Sequence, residues 1–397
     1  MTNLKTLIIK IYLPAALYEI AIGAITPMIA VAALNLNANI SVASIVASML
    51  GIGQIVGDIP AGKLATIFGD KMAMIYGALA SFICLIICFL ANNYFYLGVG
   101  IFLIGAINAV FLLARQSYVI EIAPDHLTSR ALSGLGGMSR IGLLLGPFLG
   151  SFTISIWGLK SIYILSFLIV ILTLLVLFIF KDPAVDKPKR RKIIQTNIST
   201  FILFKRYKHI FLTLGLAVLL VGAIRSVRQV GIPLWAQSQG ISDGGVSFIF
   251  ALSSFFDVLL FYPSAIIMDK WGRLWSSVPS MLIMVIGLMV LPFTHDFISI
   301  CLAGAVIGVG NGLGTGIIMT LAADIAPARY RSNFLGLWRI YGDLGNALGP
   351  VFISLGASIL ALGPTLFLSS IIGLVASILL LVYLPKFSSK ANLLRRL

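Results

Sequence analysis

The chain has 397 residues, of which 59% are hydrophobic and 10% charged, with 28 Lys/Arg against 13 Asp/Glu and a net charge of +15. Soluble domains carry about 25% charged residues, so this composition excludes a soluble enzyme, a disordered chain, a collagen and a disulfide scaffold. A polytopic membrane protein remains, and a mean hydropathy of +1.07 agrees.

Apolar runs separated by turn and charge signals predict helices over 7–33, 40–65, 71–91, 95–122, 131–156 and 160–180, then over 210–237, 243–268, 274–294, 297–323, 333–358 and 363–385. The runs are too long for barrel strands. Lys5 and Lys10 precede the first run as in a signal peptide, but Glu19 interrupts it and its length exceeds an h-region. An uncleaved first span is expected. Cys84, Cys88 and Cys301 lie inside apolar runs without metal-ligand company, and His126, His209 and His295 fall in loops or at helix ends. No metal, cofactor or phosphate-binding loop is expected, and no enzymatic activity.

The longest polar stretch, 181–208, carries Lys187, Lys189, Arg190, Arg191, Lys192, Lys205, Arg206 and Lys208. It divides the chain into an expected six-helix bundle at 1–180, a basic linker at 181–208, and a second bundle at 209–397 with a short basic tail. With the N-terminus inside, 22 Lys/Arg fall on the cytoplasmic side and one, Lys160, outside; the other five lie within helices. That bias predicts both termini in the cytoplasm of a cell that carries the protein in its inner membrane. It also explains the basic charge without a nucleic-acid partner.

The halves repeat at an offset of 203 residues. Pro60 meets Pro263, Gly69 meets Gly272, Gly105 meets Gly308 and Asn108 meets Asn311. Ile122-Ala123-Pro124 meets Ile325-Ala326-Pro327, Ser129 meets Ser332, and Gly142, Gly146 and Pro147 meet Gly345, Gly349 and Pro350. A gapless register over about 90 residues implies two parallel six-helix repeats.

Two motifs carry a family resemblance. The loop after helix 8 reads Asp269-Lys270-Trp271-Gly272-Arg273, and this resembles the helix 2–3 loop signature of the major facilitator superfamily in its second-half copy. The first-half copy, Gly62 to Lys71, departs from it, with Thr66 at the position of the family's Asp and Ile67 at that of its base. Helix 5 carries Gly142-x-x-x-Gly146-Pro147-x-x-Gly150, similar to the antiporter motif of the family's exporters. Small residues at that spacing also serve ordinary close packing. The resemblance implies an all-α fold of twelve transmembrane helices, with helices 1, 4, 7 and 10 lining a cavity.

An ionisable residue inside a span costs about 2.5–3.5 kcal/mol on insertion scales, so each should face a cavity or a partner. Glu19 and Arg115 lie near mid-span on helices 1 and 4, as a proton-coupling pair requires, although a static ion pair would also satisfy them. Arg225 and Arg228 share one face of helix 7 and either hold an anionic group of the substrate or neutralise Glu19 and Asp257. Given the family's placing of helix 2 beside helix 11 and helix 5 beside helix 8, residue depths match for Asp58 with Arg339, Arg140 with Asp257, and Gln54 with Asp343. These are candidate interdomain gates; the alternative is pairing within each half. The expected function is secondary transport by alternating access, with efflux of a small organic molecule against protons as first reading and uptake or exchange of an organic anion as second. A monomer in the lipid bilayer is expected. A scaffold or receptor would have no need of buried charges on several helices.

Overall fold

The computed structural model describes residues 11–123, 128–179, 200–327 and 330–394, without the side chains at 66, 128–130, 200, 331–332 and 388–394. Lys5, Lys10, Pro124, His126 and the basic run 187–192 lie outside the described residues, as do the side chains of Thr66, Ser129 and Ser332.

Twelve helices are long and apolar enough to cross a membrane. They are α1 (Leu13–Asn35), α2 (Ile40–Ala65), α3 (Asp70–Leu90), α4 (Tyr94–Ile122), α5 (Ala131–Trp157) and α6 (Ser161–Ile179), followed by α7 (Lys208–Ser238), α8 (Asp243–Lys270), α9 (Leu274–Phe293), α10 (Phe297–Ile325), α11 (Asn333–Leu360) and α12 (Leu362–Phe387). No strand occurs among the described residues. The all-α, twelve-span reading therefore holds, and boundaries differ from expectation by a few residues.

Local chemistry sets the ends. Asn39 and Asn93 accept hydrogen bonds from the backbone N–H groups of Val42 and Tyr96, at 2.8 and 3.0 Å, and so open α2 and α4. Asp296 opens α10 through a capping box with Ser299. The Ser299 hydroxyl and N–H hold the Asp296 carboxyl below its ordinary range. Gly69 and Gly272 take φ of +82° and +94° at the turns that follow α2 and α8, a conformation that a side chain would strain.

Two departures from the sequence reading stand out. The stretch expected as linker contains a helix, Thr200–Arg206, in which Leu203 is fully buried and Phe204 lies 5.9 Å from the Phe211 ring of α7. Its apolar residues had been outweighed by the basic ones beside them. Span α10 is broken: helix runs to Leu313, stops at Gly314, and resumes at Ile317 after Gly316 at φ +78°. Its counterpart α4 is continuous.

The helices form two compact units. The described residues before Arg190 cluster with Ala236–Ala251, and those after Arg191 cluster up to Trp235 and again from Leu252 onward. The 203-residue repeat has a packing meaning. A Cβ on Gly105 would run into the Leu50 carbonyl of α2, and a Cβ on Gly308 into the Ser253 carbonyl of α8, 203 residues later in both helices. Likewise Gly142 of α5 abuts the Ala16 carbonyl of α1, and Gly345 of α11 abuts the Leu219 carbonyl of α7. The same small residues bring equivalent helix pairs into backbone contact in each unit.

Candidate functional site

The first buried charge pair lies between α1 and α4. Arg115 Nη2 stands 2.7 Å from Glu19 Oε1, with side chains only 6% and 7% exposed. Neighbouring contacts fix this geometry. Tyr18, beside Glu19, stacks on Phe111 at 3.8 Å between centroids, and Phe111 sits one turn before Arg115. The Tyr18 hydroxyl hydrogen-bonds the Ser81 hydroxyl of α3 at 2.7 Å. From the other side, α5 approaches through its glycines. A Cβ on Gly142 would lie 2.6 Å from Glu19 Cβ, and one on Gly146 would lie 2.5 Å from Ala24 N. The helix 5 motif thus presses α5 against the helix that carries Glu19. Arg115 Nε and Nη1 and Asn108 Oδ1, on α4, are buried with no hydrogen-bond partner among the described residues. An arginine with two unanswered donors is held by its carboxylate and little else.

The second unit has a different cluster. Arg228 Nη1 lies 3.3 Å from Asp257 Oδ2, with the side chains 5% and 14% exposed. Arg228 Nε also donates to the Ser253 hydroxyl at 3.2 Å and Nη2 to the Ser254 hydroxyl at 3.4 Å. Asn311 Nδ2 donates to the same Asp257 oxygen at 2.6 Å, while Asn311 Oδ1 is buried without a partner. Arg225 Nη2 donates to the Gly314 carbonyl at 2.6 Å. That carbonyl lies at the break in α10, where the Ile317 N–H reaches it only at 3.4 Å, and the Ser264 and Ser276 hydroxyls serve the Leu313 carbonyl beside it.

Glu19 and Arg115 come together. Arg228 meets Asp257, one of the two acids it was read as neutralising, and Arg225 meets backbone. Arg339 Nε lies 3.4 Å from Asp343 Oδ2, one turn along α11. Asp58 and Gln54 on α2 and Arg140 on α5 are half-buried. In the loop motif, Arg273 joins Asp269 at 3.2 Å and Asp324, at the end of α10, at 3.1 Å. Burial pulls the Arg273 guanidinium down, but the two carboxylates outweigh it and hold it above its ordinary value.

Sequence reading did not mark Asn311, Ser253, Ser254, Gly314 or Asp324 as site residues. The signals were present. Offset 203 pairs Asn311 with Asn108 and Asp324 with Glu121, and Gly308 to Gly316 holds five glycines in nine residues, too many for an unbroken helix.

Comparisons with known proteins agree with this architecture. An uncharacterised MFS-type transporter of Methanocaldococcus jannaschii is 22% identical over 96% of this chain and 98% of its own length. The multidrug resistance protein MdtG of Proteus mirabilis is 27% identical, but over only 45% of this chain and 46% of that protein. Among solved structures, a peptide transporter of the POT family in complex with sulfate superposes with a TM-score of 0.78 at 14% identity, covering 96% of this chain and 94% of that one. The inward-open xylose transporter XylE of E. coli gives 0.70 at 17% identity, covering 97% and 99%. The sequence model of the Major Facilitator Superfamily matches residues 11–224 and again 214–396. With that match spanning nearly the whole chain, this transporter belongs to the major facilitator superfamily.

Proposed function

We propose that the protein exports a small organic molecule in exchange for protons, by alternating access. The observation that carries this reading is the Glu19–Arg115 pair, a carboxylate buried in the membrane and held by one arginine with two donors to spare. Protonation of Glu19 would cancel the attraction and leave Arg115 to seek other acceptors, so the pair has two states that a proton can switch. The multidrug resistance name of the MdtG relatives supports export, and the resemblance of the α5 motif to the family's exporters points the same way. The bias of 22 cytoplasmic Lys/Arg to one supports an orientation with both termini inside. A monomer suffices for the mechanism, and no enzymatic step is needed.

For the α7 arginines, the Arg228 contact with Asp257 supports the neutralising reading for that residue, while Arg225 donates to the neutral Gly314 carbonyl. This favours export of a neutral or cationic molecule over uptake of an organic anion.

The test is flux in proteoliposomes under an imposed pH gradient, using a compound found by a growth-inhibition screen of a deletion strain. Glu19→Gln is expected to abolish gradient-driven transport while leaving exchange measurable. Full proton-driven flux in Glu19→Gln would overturn the assignment.

A further inference from the structure

We propose that Asp257 is a second proton-carrying carboxylate, and that Asn311 is the residue which answers its two protonation states. This rests on the proton-coupled reading above but concerns a different unit and a different residue.

Asn311 spends its Nδ2 on Asp257 Oδ2 at 2.6 Å and leaves Oδ1 buried without a partner. A buried amide with one idle acceptor is costly unless another arrangement uses it. A half-turn of the carboxamide about χ2 would exchange the two ends and present Oδ1 to Asp257. An ionised carboxylate cannot use that arrangement, because it has no proton to donate. A protonated one can, with its O–H donating to Asn311 Oδ1. The same side chain therefore satisfies the carboxylate as donor and the carboxylic acid as acceptor.

Arg228 is provided for in the same way. When Asp257 is ionised it takes the charge-assisted contact at 3.3 Å. When Asp257 is neutral, the Ser253 and Ser254 hydroxyls, at 3.2 and 3.4 Å, remain as acceptors for Nε and Nη2. The guanidinium is not stranded in the membrane in either state.

Asp257 takes one proton from hydronium, which leaves as water; an O–H bond forms on the carboxyl, and the proton passes back to a water molecule as hydronium when the ion pair re-forms. The Asp257 side chain is 14% exposed, against 7% for Glu19, and is the less buried of the two carboxylates. A metal cation fits poorly, because the guanidinium already at the carboxylate would repel it, whereas a proton removes the charge that Arg228 answers. The other charged groups to consider are Arg225, one turn before Arg228 on α7, and Arg140, the partner expected from α5. Among the described residues the stretch of α10 around Asn311, Phe297–Leu313, carries Cys301 as its one titratable side chain and no Asp, Glu, Lys or Arg. Neutralising Asp257 would loosen its hold on Arg228.

The experiment uses the full chain in lipid bilayers with no substrate. Infrared difference spectra between alkaline and acid pH report the C=O stretch of protonated carboxyl groups. Two buried carboxylic-acid bands are expected in the wild type. Asp257→Asn should remove one and Glu19→Gln the other. Asn311→Leu should keep the Asp257 band and move it to higher frequency, because the acid loses its acceptor. Asp257→Glu, which keeps the carboxyl, should shift the band without losing it and serves if Asp257→Asn does not fold. An unchanged band pattern in Asp257→Asn, or in Asp257→Glu, overturns the second site while leaving Glu19 intact. An unmoved Asp257 band in Asn311→Leu overturns the role of Asn311. Loss of no band in Glu19→Gln overturns the coupling reading itself.

Discussion

Arginine is the informative residue type in this chain, because five of them fall inside spans where each needs a reason. Arg225 has a specific one in the broken helix. It donates at 2.6 Å to the Gly314 carbonyl at the break in α10, which the Ile317 N–H reaches only at 3.4 Å. Removing the arginine would leave that acceptor with the longer Ile317 contact. A hydrogen bond from a charged donor contributes about 1.5–3 kcal/mol. Arg225→Ala is therefore expected to lower the thermal unfolding midpoint in detergent or bilayer, with Arg225→Lys restoring part of the loss. An Arg225→Ala protein as stable as the wild type, but with weakened substrate affinity, would instead favour a substrate contact. Arg228 differs in kind, since its partner is a carboxylate and its loss would strand a buried negative charge.

Helix pairing in each unit runs through glycines, and α5 contains its own control. Gly142 has no room for a methyl group, with Ala16 O and Glu19 Cβ both 2.6 Å from the Cβ position, whereas Gly136 and Gly137 on the same helix have nothing within 4 Å. Forcing a methyl group into a packed contact costs about 1–3 kcal/mol. Replacing an open helical glycine by alanine gains up to about 1 kcal/mol of helix propensity. Gly142→Ala should therefore destabilise and disturb the Glu19–Arg115 pair, while Gly137→Ala should be neutral or stabilising. Equal unfolding midpoints for the two variants would show that α5 does not press on α1 as described. These contacts also show what the sequence could and could not convey. Spans were legible because the bilayer demands about 20 apolar residues for each. The offset of 203 marked Gly105, Gly142, Gly308 and Gly345, and each turned out to sit at a helix–helix contact. Depth along the helices matched Glu19 to Arg115. What stayed hidden depended on rotation about helix axes and on breaks in them. Residue spacing cannot show which face of α8 meets α7, so the Arg228–Asp257 pairing was open, and α10 was read through its break because hydropathy is blind to glycine.

At the scale of the whole molecule, the two halves must be linked on one side of the membrane at a time for alternating access to work. We expect Asp58 with Arg339, Arg140 with Asp257 and Gln54 with Asp343 to provide such links. The residue depths that suggest this are tightly matched: Asp58 lies 8 residues before Thr66 and Arg339 lies 7 after Ser332. The structure also shows what these residues hold within their own half, with Asp257 at Arg228 and Asp343 at Arg339. A latch that opens must leave its charges answered, and partners of this kind are what the released groups would fall back on. The prediction is made on the pair whose members lie on α2 and α11. Asp58→Arg alone should reduce flux by bringing two cations together, and Arg339→Asp alone should do the same with two acids. The double exchange, Asp58→Arg with Arg339→Asp, keeps the pair and reverses its direction, so it should recover a substantial share of transport. The measurement is initial flux in proteoliposomes at matched protein content, with thermal unfolding of each variant to separate loss of transport from loss of fold. A folded double variant no more active than either single one would remove this pair from the mechanism.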